Sequence, residues 1–326
     1  MADPAATLGE LLRRAAAGVP PSREDAEQAA RLVRDDPVTD AFRAVGIELA
    51  DRADERITLF GRAAFLCPAR RLDVAGHEIE ATTTPAELWR FYLPMCQALA
   101  GLAERAGRRV LAGIAGSGAS GKSVFAALLC ETLNAVFAGT KARAAVCPMD
   151  GFHYPNAYLD SHFTTDEEGH RVPLRSLKGA PQTFDAEAFV RCVRKLREEP
   201  SVTVPRYDRA LHDPVPAGIR VGPDHAVVLV EGNYLLLDEG PWAAIGDMLD
   251  LAAFVSLPFD VVRKAMVERH VLGGRSEEDA VRHFERVDRR NYEICTATAG
   301  RADLVVRRSA EQRIVGIEPG RRRGPV

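Results

Sequence analysis

The spacing of apolar residues changes several times along the chain, and each change marks an element. From Thr7 to about Ala53 they recur at helical spacing. Thr7 and Glu10 stand as a capping box, and Ser22 leads into Glu24 and Asp25 ahead of Ala26 to Val33, so helix starts are expected at both places. Ile57 to Phe65 holds no single period. Leu72-Asp73-Val74 facing Glu78-Ile79-Glu80 about Ala75-Gly76 predicts a short hairpin. At Thr84 a further helix is announced by Thr84 as cap, Pro85 in the first turn and Glu87 closing the box. Leu88, Phe91, Tyr92, Met95, Leu99 and Leu102 then form one apolar face, which Pro94 is expected to bend.

Beyond that helix the apolar runs become short and nearly continuous: Arg109 to Ala115, Ala142 to Met149, Ala226 to Val230, Leu251 to Leu257 and Leu304 to Val306. Runs of this kind alternating with helical stretches indicate parallel strands buried on both faces. The expected fold class is α/β, a five-stranded parallel sheet flanked by helices. A small, mainly helical N-terminal extension over 1–83 precedes a main domain over 84–326. Residues 1–83 carry no recognisable chemistry and leave open a homodimer contact or a cover over a binding pocket. Ligands of such sheets bind beyond the carboxyl ends of the strands, so the residues that follow each strand carry the functional information.

The first strand runs into Gly116-Ser117-Gly118-Ala119-Ser120-Gly121-Lys122-Ser123, and Val124 to Leu133 continues as a helix. Glycines let the backbone wrap a nucleotide's phosphates so that amides and the helix N-terminus point at the anion. Lys122 then reaches the outer phosphates, and the Ser123 hydroxyl holds Mg²⁺. A P-loop NTPase fold binding a nucleoside triphosphate, with ATP and Mg²⁺ as cofactors, is expected.

The second strand ends Met149-Asp150-Gly151-Phe152-His153-Tyr154, and Asp150 is placed to take a proton from an attacking hydroxyl. The third ends Val230-Glu231-Gly232, and Glu231 is a candidate for the metal site. A polar insertion spans 151–225. His153, Tyr154, Lys178, Arg206, Tyr207, Asp208 and His212 are its candidates for surrounding a polar acceptor. After the fourth strand, 260–290 carries Arg263, Lys264, Arg269 and His270 on a helix interrupted by Gly273-Gly274-Arg275. A basic helix with a glycine hinge suits a lid, with Arg269 and Arg275 as candidates for stabilising the transferred charge.

Composition narrows the setting. With 46% hydrophobic and 27% charged residues the chain is ordinary globular material, which excludes a disordered reading. A net charge of −3 gives no reason to expect a nucleic-acid or anionic-membrane partner, and Arg321-Arg322-Arg323 reads as a solvated end. Six cysteines without a CxxC pair fit a reducing cytoplasm. No signal pattern is present, and no apolar run nears the ~18 residues that span a bilayer. A soluble cytoplasmic protein is expected.

In order, GSGASGKS, MDGFHY, KGAPQTFD, VPRYDR, VEGNYLLLD with Pro241-Trp242 after it, and the segment around Glu268-Arg269-His270 resemble the phosphoribulokinase, uridine kinase and pantothenate kinase group of P-loop kinases. The bacterial branch of nucleoside/nucleotide kinase-like or fructose-transport-associated kinases is most similar, over about Arg108 to Val306. The resemblance implies that Lys122 and Ser123 bind phosphate and Mg²⁺, Asp150 is the catalytic base, Glu231 belongs to the metal site and Arg269 to the lid. It implies a kinase for a hydroxyl of a small polar metabolite, with a sugar, a nucleoside or a pantothenate-like compound as candidates. Phe91 to Pro94 also resembles the helix before the phosphate loop of bacterial pantothenate kinases, but the long insertion after Asp150 departs from that pattern.

Two rivals are a P-loop GTPase or metallochaperone switch and a catalytically idle nucleotide-binding module. The first needs an Asn/Thr-Lys-x-Asp motif, and here Thr140-Lys141 is followed by Ala142-Arg143 with no clustered cysteines. Intact Lys122, Ser123, Asp150 and Glu231 argue against the second.

Overall fold

The computed structural model describes residues 4–49, 53–67, 69–74, 77–140, 142–165, 169–209 and 211–322. Ala75-Gly76, Lys141 and Arg323 lie outside them. The five apolar runs form strands Val110–Ala115, Arg143–Pro148, His225–Gly232, Leu251–Ser256 and Leu304–Arg308. They pair in parallel, with Val110–Ala115 between Leu251–Ser256 and His225–Gly232. A sixth strand, Ile314–Pro319, adds antiparallel at the edge beside Leu304–Arg308. Its Gly316 and Pro319 are residues that strands disfavour, and only an edge tolerates the proline, so its sequence reads as a loop.

Burial of both sheet faces follows from the alternation within each strand. Val110, Ala112 and Ile114 join one apolar cluster, and Leu111 and Ala115 join another on the opposite face. The first cluster contains the helix after the phosphate loop, Lys122–Val136, the helix Leu93–Ala106 and the N-terminal helices Pro4–Ala16, Arg23–Arg34, Pro37–Arg43 and Ala53–Ala63. The described part of 1–83 is therefore continuous with the core on one face. The insertion helix Ala186–Glu198 packs on the other face.

Capping boxes are made at Ser22 with Asp25 and at Thr84 with Glu87. Thr7 lies inside a helix that starts at Pro4, so the first expected start is displaced. The segment without a period is mostly helix, Ala53–Ala63, followed by a turn over Ala64–Leu66. Just ahead of that segment the same helix buries Arg56, 1% exposed, whose Nε donates to Gln97 Oε1 at 2.9 Å. Ahead of Pro94, Leu88–Tyr92 is a π turn in which the Leu93 N–H reaches the Leu88 carbonyl. That wider turn accommodates a proline, which would crowd an α-helical carbonyl four residues back. The hairpin is present as Ala69–Val74 against His77–Thr82.

The solvated-end reading fails at Arg322, whose Nη1 lies 2.9 Å from Asp303 Oδ2. Asp303 is fully buried and requires a countercharge. Among the described residues no helix is long and apolar enough to cross a membrane.

Candidate active site

Strand Val110–Ala115 delivers the chain into the loop 116–121, and the helix begins at Lys122 with Gly121 at its N-cap. Gly121 has φ 81°, a left-handed conformation in which a side chain would be strained and would overlap the Arg308 guanidinium. A Cβ at Gly116 would lie 2.7 Å from Ser120 Oγ and 2.8 Å from the Val255 carbonyl. The loop therefore tolerates no added side chain at either end. Ser120 Oγ is buried with no hydrogen-bond partner among the described residues, a donor left over in a cradle suited to an anion.

Parallel pairing sets Ile114 and Pro148 opposite Glu231 and so brings three strand ends together. Ser123 Oγ donates to Glu231 Oε1 at 2.8 Å, and Lys122 Nζ stands 3.5 Å from the same oxygen. Burial pushes the Glu231 carboxyl above its ordinary value, the Lys122 charge opposes that, and the Asp150 charge adds to it. Asp150 follows strand Arg143–Pro148 in the turn Met149–Phe152. Burial pushes its carboxyl up, but the fields of protonated His153, Lys122, Arg209 and Arg269 outweigh burial and hold it below the usual carboxylate range. Asp150 is thus an anion at neutral pH, under the same lysine as Glu231.

The acceptor candidates separate. His153 joins Asp150: its Nδ1 donates to the Asp150 carbonyl at 2.9 Å, and its ring packs on Phe184 and Tyr207 at 3.8 and 5.2 Å. Burial pushes its imidazole below the ordinary value. Tyr207 is buried, with its phenol pushed up to about 12 by burial. Lys178 lies over the Tyr207 ring at 5.1 Å and donates to Asn156 Oδ1 at 2.6 Å and to the His212 carbonyl at 2.8 Å. Burial pushes its ammonium down to about 8. Arg206 and Asp208 face one another at 3.5 Å on strand Val202–Asp208. His212, in the turn before Asp213–Val221, has an exposed side chain and φ 53°; its carbonyl does the work. Tyr154 turns away into a surface stack with Tyr158 at 4.3 Å, which continues to His162 at 3.6 Å.

The segment expected to form a lid, 260–290, is built from Phe259–Leu272, Glu277–His283, a π turn over Phe284–Asp288 and the start of Arg289–Ala297. Its Val262, Met266 and Phe284 cluster with Leu257, and Ala119 of the phosphate loop packs against them. Arg269 lies in the field of Asp150, Arg209 and Tyr207, and so belongs to the site. Arg275 is exposed and lines, with Gln182, His283 and Arg286, a separate cavity of about 1150 Å³ between insertion and lid; its field acts on His283 and Asp279. The two arginines expected to work together are thus parted.

Sequence reasoning missed three residues. Arg209 acts on Asp150, His153, Tyr207 and Arg269; it is the last residue of the VPRYDR run. Arg308 ends an interior strand and donates to the Ser120 carbonyl at 2.9 Å, a contact nothing local in sequence signals. Tyr234 donates to the Gly179 carbonyl at 2.7 Å and so ties the third strand's end to the KGAP turn.

Residues 111–315 match the sequence profile of the family described as Phosphoribulokinase / Uridine kinase family. A Schizosaccharomyces pombe protein provisionally named a uridine kinase is 34% identical over 203 residues, 61% of this chain and 83% of that protein. A pantothenate kinase of Corynebacterium aurimucosum is 31% identical over 48% of this chain and 47% of its own length. The crystal structure of a protein of Silicibacter sp. TM1040, provisionally described as a fructose transport system kinase, has a TM-score of 0.55 at 30% identity. It covers 64% of this chain and 94% of that one.

Proposed function

The chain belongs to the phosphoribulokinase / uridine kinase family of P-loop kinases, and on that premise we propose that it transfers the γ-phosphate of ATP to a hydroxyl of a small polar metabolite that carries an anionic group. The observation that carries the reading is Lys122 standing 3.5 Å from Glu231 while its charge also acts on Asp150. One cation at the phosphate loop thus serves two carboxylates at adjacent strand ends, one for a metal and one for a proton.

The residues present fit a nucleotide and Mg²⁺. The orphaned Ser120 hydroxyl and the glycine-lined turn suit phosphate oxygens, and Ser123 with Glu231 is the pair that would hold the ion. When bound, ATP and its ion supply the phosphoryl group and neutralise its charge. The chain's own residues do the rest. Asp150, ionised, takes the proton of the acceptor hydroxyl at a carboxylate oxygen. Arg209 and Arg269 hold negative charge beside it, and Met266 with Val262 keeps water from the loop. The cationic surround of Asp150 favours an acceptor that is itself an anion. Relatives carry names for different acceptors, so the family alone does not choose one.

The test is ATP consumption by the full chain against sugars, nucleosides, pantothenate and glycerate, with and without Mg²⁺ and with GTP in parallel. Magnesium-dependent turnover on one acceptor class is expected. ATP binding without turnover on any member would favour an idle nucleotide-binding module, and a preference for GTP would favour a switch.

A further inference from the structure

Outside the catalytic centre, the lid gathers His270, His283 and Asp288 so that one ligand atom of each lies within 4.8 Å of the others. His270 lies in the last turn of the first lid helix, His283 ends the second, and Asp288 ends the π turn that follows. Residues five apart on an α-helix point ~140° apart. Here the Arg289 N–H reaches the Phe284 carbonyl, the wider i to i+5 register, which swings Asp288 back toward the face of His283. His270 Nε2 lies 2.7 Å from Asp288 Oδ2, and the two imidazoles meet edge to face at 4.7 Å. No hydrogen bond to the His283 ring is present among the described residues, and that ring lines the 1150 Å³ cavity, so it is open to an entering ion.

We propose that His270, His283 and Asp288 form a binding site for a borderline divalent metal ion such as Zn²⁺, Co²⁺ or Ni²⁺, which fastens the two lid helices to each other across the Gly273-Gly274 hinge. Two imidazoles and a carboxylate are the donor set these ions prefer, and three protein ligands leave room for water. Metal–ligand bonds near 2.0–2.2 Å set neighbouring ligand atoms about 3.3 Å apart. The Nε2–Oδ2 pair therefore opens slightly and the His283 nitrogen draws in, both small movements. Arg275 and Arg286 also face His283; their charge opposes cations held by charge alone and leaves nitrogen ligation to carry the affinity. Mg²⁺ and Ca²⁺, which demand oxygen ligands, are excluded on the same ground.

The experiment titrates Co²⁺ into the untagged full chain in excess Mg²⁺, which keeps the phosphate-loop site out of play, and follows the visible absorption of cobalt with Zn²⁺ as competitor. One equivalent is expected to bind in the wild type and in a His162→Gln control, and at least ~10-fold more weakly in His270→Gln and His283→Gln. X-ray absorption of the wild-type zinc complex should find two imidazole nitrogens, a measurement independent of whether the variants fold. Absence of binding, binding unmoved by both histidine changes, or fewer than two imidazoles overturns the site.

Discussion

The phosphate side of the site, residues 116–123 with Asp150 and Glu231, hangs from the carboxyl ends of three adjacent buried strands, whereas the acceptor side is assembled from a hairpin, short turns and the lid. In the sheet a slip of one residue would turn every side chain to the wrong face, so Glu231 and the Ala115–Gly116 junction have one possible placement. The hairpin Val202–Asp208 with Asp213–Val221 has a register shift between Val204 and Arg206, and His212 in its turn adopts a left-handed conformation. On the proposed reading, nucleotide binding and proton transfer sit on the constrained side. On that reading, selection of the acceptor falls to the side whose register is less constrained.

The largest expected effect tests whether the two sides divide the labour. Asp150→Asn keeps the shape and removes the proton acceptor, so turnover on the true acceptor should fall by about 10²–10⁴-fold while ATP affinity, read by equilibrium dialysis, stays nearly unchanged. Equal losses in both would mean that Asp150 serves nucleotide binding and is not the proton acceptor. Lys122→Ala comes next. It removes a charge-assisted contact and leaves Glu231 buried without its cation, so ATP affinity and turnover should each fall by about 10–100-fold. A change in turnover alone would break the assignment of Lys122 to nucleotide binding.

The same contrast explains what was legible in the sequence. Each parallel strand is a short apolar run, and the phosphate loop, Asp150 and Glu231 follow three of them directly, so periodicity and position together located that half. Arg209, Arg308 and Tyr234 act through partners 59, 188 and 55 residues away, and no local pattern encodes such a pairing. Tyr154 and Arg275 lie apart from Asp150 for the opposite reason. Each lies near a residue that the structure sets beside Asp150, in sequence or on the same segment, but the turn after Phe152 and the Gly273-Gly274 break point them elsewhere. Arg56 inside an apolar stripe, and Gly316 with Pro319 inside a strand, show local preference giving way to tertiary partners.

A smaller effect concerns pH. Asp150 is held below its ordinary value by the surrounding cations, so its carboxylate persists as pH falls to 5 and kcat/KM should show no acid limb there from this group. Lys178, pushed down to about 8 by burial, is charged below that pH and neutral above it. For an anionic acceptor, kcat/KM should therefore decline by about tenfold as pH rises through 8, the worth of one charge-assisted contact. Lys178→Met should remove the decline and leave a uniformly low value. A decline that persists in the variant would assign it to another group.

The smallest effect separates two neighbours in sequence. His153 is packed between Phe184 and Tyr207 and bonded to the Asp150 carbonyl, whereas Tyr154 stacks on the exposed Tyr158. His153→Ala should loosen the turn that aims Asp150 and lower kcat more than it raises KM for ATP. Tyr154→Ala removes only surface stacking, which costs within about 0.5 kcal/mol of stability, and should leave kcat and both KM values within about twofold. A rise in acceptor KM confined to Tyr154→Ala would bring the stack Tyr154-Tyr158-His162 into the acceptor side and move the boundary of the site outward across the insertion.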